Sequence, residues 1–212
     1  MPRFFNNSSM IVCGSSRCGK TMWVRKLLYN AQDMFVNGAP EKILYCYTTV
    51  QDELLEMEAN ISGFALHKGL PTREEINELT SPSAELMIVL DDMVHEVINS
   101  KLMSDMFFGG RHMNASIIFI TQNCFEKGKF SKGINVNASY FVLFKNMRDR
   151  QQVTFLARQM FKNAGAFMEA YDDIMKKPYS YVVLDAHSSS DEKTRVRTNV
   201  FPEENMVVYD VN

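Results

Sequence analysis

Cysteine is scarce in this chain: four residues, at positions 13, 18, 46 and 124, with no C-x-x-C spacing. That pattern argues against a zinc ribbon or a disulfide framework and points to a reducing compartment. Long hydrophobic runs are missing as well. The longest purely apolar stretches, such as Leu86–Leu90 and Tyr140–Phe144, are far too short to cross a bilayer, so no membrane span is expected. The opening residues, Met1-Pro2-Arg3-Phe4-Phe5-Asn6-Asn7, lack the apolar centre of a secretory signal. No charge of one sign dominates. The formal net charge is −2, which excludes a uniformly basic nucleic-acid coat but leaves room for a local basic channel. Neither an internal repeat nor a low-complexity segment interrupts the 212 residues.

What is present reads as a globular chain, with 46% hydrophobic and 23% charged residues, long enough for one substantial domain. Short apolar runs alternate with segments of helical periodicity. Strands are expected at Met10–Cys13, Ile43–Tyr47, Phe64–His67, Leu86–Leu90, Ile117–Ile120 and Tyr140–Phe144. Helices are expected after Thr21, from Thr72 (a cap with Glu75 three residues on), over 94–108, over Arg148–Met160, and from Asn163 to before Pro178. Residues 109–112 read as a turn and 125–133 as a loop. Tyr179–Leu184 and Arg195–Val200 flank a polar Ser/Asp turn and predict a terminal β-hairpin. The alternation predicts an α/β fold with a mainly parallel sheet. Fifteen methionines suit core gap-filling or an adaptable interface.

The chemistry gathers at Gly14-Ser15-Ser16-Arg17-Cys18-Gly19-Lys20-Thr21, which fits G-x-x-x-x-G-K-[ST] between a buried strand and a helix. In that context successive backbone N–H groups and the helix N-terminus cradle phosphates. Lys20 is placed to reach the β- and γ-phosphates of a nucleoside triphosphate, and Thr21 to ligate Mg²⁺. The run Leu86–Leu90 delivers Asp91 and Asp92 at its end. Asp91 suits the acid that holds Mg²⁺, and Asp92 can orient or deprotonate an attacking water. Gln122 ends the Ile117–Ile120 strand and reaches the same cleft if that strand lies between the other two. Arg111, in a Gly-rich turn, is either a solvated arginine or one that reaches a neighbour's nucleotide. Lys127, Lys129 and Lys132, interleaved with Phe125 and Phe130, suit a phosphate backbone or an ordinary soluble loop. Arg148 and Arg150 open a helix against its dipole, so a carboxylate, a subunit or a phosphate should compensate them.

The order GSSRCGKT, LMIVLDD, GGRHMNASIIFITQN and YFVLFKNMRDRQQVTFLARQMF resembles the genome-packaging ATPases of double-stranded DNA viruses. These belong to the FtsK/HerA superfamily, and the small Polinton-like and double-jelly-roll virus enzymes are the nearest in kind. The resemblance spans most of residues 8–200. It implies a P-loop NTPase of RecA-like (ASCE) type, with an extra strand between the phosphate-loop strand and the Asp91 strand. It also implies an ATP- and Mg²⁺-dependent DNA translocase: a homo-oligomeric ring, pentamer or hexamer, threading double-stranded DNA and docking on a capsid vertex or portal-like protein. Asp91 then matches the Mg²⁺-binding acid, Gln122 the strand-end sensor and Arg111 the trans-acting arginine. Many members carry Glu where this chain has Asp92, and Glu96 is a fallback for that role. The implied boundaries are a lead-in at 1–8, an ATPase domain at 9–201 and a tail at 202–212. Action is expected in host cytoplasm or nucleus where virions assemble, with virion association open.

Four rival readings compete with this one. A small GTPase needs an N/T-K-x-D guanine motif, and Phe144-Lys145-Asn146-Met147-Arg148-Asp149 has the order wrong. A nucleotide kinase needs an acceptor pocket and an Arg-rich lid. A non-packaging helicase or translocase shares the same motifs, whereas an inert scaffold would have no reason to keep Lys20, Thr21 and Asp91.

Overall fold

The computed structural model describes residues 2–81, 84–146 and 150–211, apart from the Arg111 side chain. In chain order the elements are β1 (Ser9–Cys13), α1 (Lys20–Tyr29), α2 (Ala31–Met34), β2 (Lys42–Tyr47), α3 (Asp52–Asn60), β3 (Phe64–Lys68) and α4 (Arg73–Leu79). There follow β4 (Leu86–Leu90), α5 (Val94–Asn99), α6 (Lys101–Gly109), β5 (Ala115–Thr121), α7 (Ser131–Asn137), β6 (Tyr140–Phe144) and α8 (Arg150–Met160). The chain closes with α9 (Ala164–Ile174), β7 (Tyr181–Asp185), β8 (Val196–Thr198) and β9 (Val207–Val208).

All nine strands form one sheet in the order β3-β2-β4-β5-β1-β6-β7-β8-β9. The first six run parallel, and β7 to β9 continue the sheet antiparallel. β5 pairs with β1 on one side and β4 on the other, where the resemblance places the extra strand. This is a P-loop NTPase fold of mainly parallel strands with a C-terminal antiparallel hairpin.

Strand alternation sorts the core onto two faces. Ile11, Leu44, Ile88, Ile117 and Phe141 turn to the face covered by α4 to α9. Met10, Val12, Tyr45, Val89 and Ile118 turn to the face covered by α1, α2 and α3. Burial on both faces explains why the strands read as unbroken apolar runs rather than alternating ones.

The ends of the chain are built into this body. Phe4 is buried and bridges to Phe35, and Asn6 Nδ2 and Asn7 N donate to the carboxylate of the buried Glu85. β9 pairs with β8 at the sheet edge.

Some expectations need correction. The helical period over 94–108 is broken in two, because the Ser100 side chain accepts from Met103 N and starts α6 as a fresh helix. The expected loop 125–133 gives way at Ser131 to α7, whose buried Ile134 packs beneath it. Residues 109–112 tighten into a 3-10 turn, Gly110–Met113. The cysteine reading fails at one point: Cys13 and Cys124 form a disulfide with Cα atoms 5.5 Å apart. Strand register causes it. Cys13 pairs with Thr121 across β1 and β5, so the turn after β5 brings Cys124 back to it, and sequence spacing carries no trace of that. Arg150 finds its compensating carboxylate in Asp172 of α9, while Arg148 lies outside the described residues.

Candidate nucleotide site

β1 ends at Cys13 and α1 starts at Lys20, so the eight-residue phosphate loop spans one strand end and one helix start. Gly14 lies against the end of β6: a Cβ there would sit 2.6 Å from Phe144 Cβ and 2.9 Å from Cys18 Sγ. Gly19 has φ 107°, a left-handed conformation that favours glycine. α1 carries no side-chain cap. Its first backbone N–H groups therefore remain available to an anion, with the helix dipole behind them. The Lys20 ammonium donates to the loop's own carbonyls, Gly14 O at 2.8 Å and Ser15 O at 2.9 Å. Ser15 Oγ ties the loop to Lys145 O at 3.2 Å.

Thr21 Oγ1 donates to Asp91 Oδ2 at 3.4 Å. Asp91 N donates to Cys46 O at 3.0 Å, which carries the chain one residue past β4 in register with β2. Burial pushes the Asp91 carboxyl above the ordinary range, and Asp92 adds to this; hydrogen bonds from Tyr45 and Thr21, and the Lys20 charge, oppose it. Asp92 is exposed and has φ 55°, a turn that aspartate tolerates better than most residues. Among the described residues no group of three or more His, Cys, Asp and Glu gathers. The Thr21 hydroxyl and Asp91 carboxylate are hard oxygen donors beside a phosphate cradle. That set fits Mg²⁺, which keeps few protein ligands and fills its shell with phosphate and water.

Gln122 follows Thr121, the register partner of Cys13. It lines a narrow crevice with Cys13, Gly14, Asn146 and Gln152, so the fold brings it to the base of the phosphate loop. Arg111 does not join this group. Its backbone lies in the 3-10 turn before β5, at the far end of a seven-residue strand, roughly 23 Å along the sheet at ~3.3 Å per residue. Its backbone therefore stands far from the phosphate loop of the same chain. Glu96 sits in the first turn of α5. Lys127, Lys129 and Lys132 are exposed. Phe125 packs edge-on against Phe155 at 5.1 Å, and Phe155 stays half in solvent.

Sequence reasoning missed an aromatic cleft of about 920 Å³ beside Lys20 and Thr21, walled by Trp23, Tyr29, Phe144, Tyr179, Tyr181 and Phe201. Trp23 stands edge-on to Tyr181 at 5.6 Å and tilted on Phe201 at 5.6 Å. At the rim, Glu204 accepts from Tyr181 OH and Lys26. These residues come from α1, β6, the turn before β7, β7 itself and the chain after β8, and no spacing announces their convergence. The other missed residue is Tyr45, whose hydroxyl donates to Asp91 Oδ2 at 2.7 Å.

Residues 4–161 match the family model described as Poxvirus A32 protein. The chain belongs to the poxvirus A32 protein family. No curated protein matches this A32-family chain. Among solved structures it is similar to the genome packaging NTPase B204 from Sulfolobus turreted icosahedral virus 2. In the complex with ATP-gammaS the TM-score is 0.55 at 10% identity, covering 95% of this chain and 96% of that one. In the complex with AMP the TM-score is 0.58 at 11% identity, covering 87% and 96%. At that identity the likeness shows the shared fold.

Proposed function

We propose that this A32-family chain is an ATPase that uses Mg-ATP hydrolysis to move double-stranded viral DNA into a preformed capsid. The observation that carries this reading is one convergence. Register places the phosphate loop, the Asp91-Asp92 pair and Gln122 at a single end of the sheet, with the aromatic cleft beside them. Family membership and a fold shared with a genome packaging NTPase support the packaging role.

The cleft takes the base and ribose, and the loop N–H groups take the phosphates. Lys20 exchanges the Gly14 and Ser15 carbonyls for β- and γ-phosphate oxygens. Thr21 and Asp91 hold Mg²⁺, which when bound neutralises charge on those phosphates. Asp92 accepts a hydrogen bond, and then the proton, from the attacking water. The Gln122 amide positions that water or senses the γ-phosphate. Arg111, out of reach in its own subunit, acts on a neighbour's nucleotide in a ring of the FtsK/HerA kind. Lys127, Lys129 and Lys132 track the DNA backbone, with Phe125 and Phe155 beside them. A capsid vertex or portal-like protein is the docking partner, and the site of action is where virions assemble in the host cell.

The test is phosphate release from Mg-ATP by purified protein, alone and with double-stranded DNA, alongside particle mass. Turnover should be slow for the monomer and rise when rings form on DNA. Binding of Mg-ATP without hydrolysis in any assembled, DNA-bound state would sink the motor reading. Transfer of the phosphate to an added nucleoside would replace it with a kinase.

A further inference from the structure

Asp91 is not held by the phosphate loop alone. Thr21 Oγ1 stands 3.4 Å from Asp91 Oδ2, whereas the Tyr45 hydroxyl donates to the same oxygen at 2.7 Å. Tyr45 comes from a different strand. On β2 it pairs with Val89 of β4, two residues before Asp91, and it points to the face that α1 covers. Its ring is 1% exposed and lies against Phe64 at 5.7 Å, so the phenol has little freedom to swing. A buried tyrosine hydroxyl needs an acceptor, and a carboxylate is the strongest available.

The backbone holds the acid from the same side. Asp91 N donates to Cys46 O at 3.0 Å, the residue after Tyr45. Main chain and side chain of Asp91 are thus both anchored to β2. Among the described residues no hydrogen bond reaches Asp91 Oδ1. One carboxylate oxygen is pinned and the other is left for a cation's shell. An apolar residue would serve the core at position 45 just as well. The hydroxyl adds an orientation that packing alone does not supply.

We propose that Tyr45 is a positioning residue that fixes the Asp91 carboxylate toward the phosphate loop. The proposal rests on the reading of Asp91 as the acid that holds Mg²⁺. Substitution of partners that orient metal ligands commonly costs 10–100-fold in metal affinity or activity, which sets the effect to look for.

The experiment compares wild type, Tyr45→Phe and Asp91→Asn in four measurements. These are thermal melting, binding of a fluorescent ATP analogue without metal, Mn²⁺ binding to the nucleotide-loaded protein by electron paramagnetic resonance, and the split of kcat from KM for ATP. Phenylalanine keeps the ring and its contact with Phe64, so Tyr45→Phe should fold and bind metal-free nucleotide as wild type does. It should weaken Mn²⁺ binding about 10-fold and lower kcat more than it raises KM. Phe64→Leu loosens the same ring without touching the carboxylate. It should lower the melting temperature but, because the hydroxyl stays, weaken Mn²⁺ binding far less than Tyr45→Phe does. Tyr45→Phe with wild-type Mn²⁺ affinity and kcat, while Asp91→Asn loses both, overturns the role of Tyr45. Asp91→Asn with wild-type Mn²⁺ affinity overturns instead the reading of Asp91 on which the proposal stands.

Discussion

Gly14 shows how little tolerance the phosphate loop has. Its Cα lies against Phe144 and Cys18, and an added methyl would meet Phe144 Cβ at 2.6 Å. Phe144 cannot yield easily: it is the last residue of β6, buried beside the loop. Gly14→Ala should therefore destabilise the protein by about 1–3 kcal/mol through overpacking. It should also weaken nucleotide binding, because the loop must move to make room. Denaturant melts and nucleotide titration check the two effects separately. At this scale the sequence is informative where one residue type has one use. The Gly-x-x-x-x-Gly-Lys-Thr spacing and the paired aspartates after an apolar run are of that kind. Tyr45 is different. A tyrosine inside the strand Lys42–Tyr47 looks like core, and only strand order brings its hydroxyl to Asp91.

Among the elements, α4 is the clearest case of local sequence dictating structure. Thr72 accepts from Glu75 N, and Glu75 reaches back to Thr72 N at 2.7 Å, a complete capping box. The hydrogen bond from Thr72 N holds the Glu75 carboxyl below its ordinary range, helped by the Thr72 hydroxyl and His67. A carboxylate depressed in the native state stabilises fully above its unfolded value of ~4.3. That contribution is lost as pH falls through the lowered native value. Thr72→Ala should cost about 1 kcal/mol at neutral pH. Glu75→Gln should flatten the acid side of the stability profile, which melts at stepped pH would reveal. Other elements were hidden for physical reasons. The 94–108 period runs on through Ser100 because a serine cap breaks a helix without disturbing its apolar rhythm. α7 escaped because Gly133 and its flanking lysine and asparagines read as loop, and burial of Ile134 outweighs their weak propensity.

Across the whole molecule, strand order was the property that the sequence could only imply. Periodicity finds strands but not their neighbours, and the position of β5 between β1 and β4 came from resemblance rather than pattern. That order puts Gln122 and Arg111 at opposite ends of one strand, so a site using both needs two subunits. Arg111→Ala should bind ATP normally and lose about 10³-fold or more in turnover. Asp91→Ala should lose turnover for a separate reason. Mixed in one ring, the two variants create interfaces with an intact phosphate site facing an intact arginine, and part of the activity should return. Phosphate release across a mixing series would measure this, and a strictly additive decline would return Arg111 to the solvated surface.

The Cys13–Cys124 bond, spanning 111 residues, makes the stretch from the phosphate-loop strand through β5 a closed covalent circle, clasped next to the phosphate loop. A protease cut anywhere in that circle opens a loop but releases no fragment. The nicked chain would keep its apparent mass until a reductant undoes the clasp.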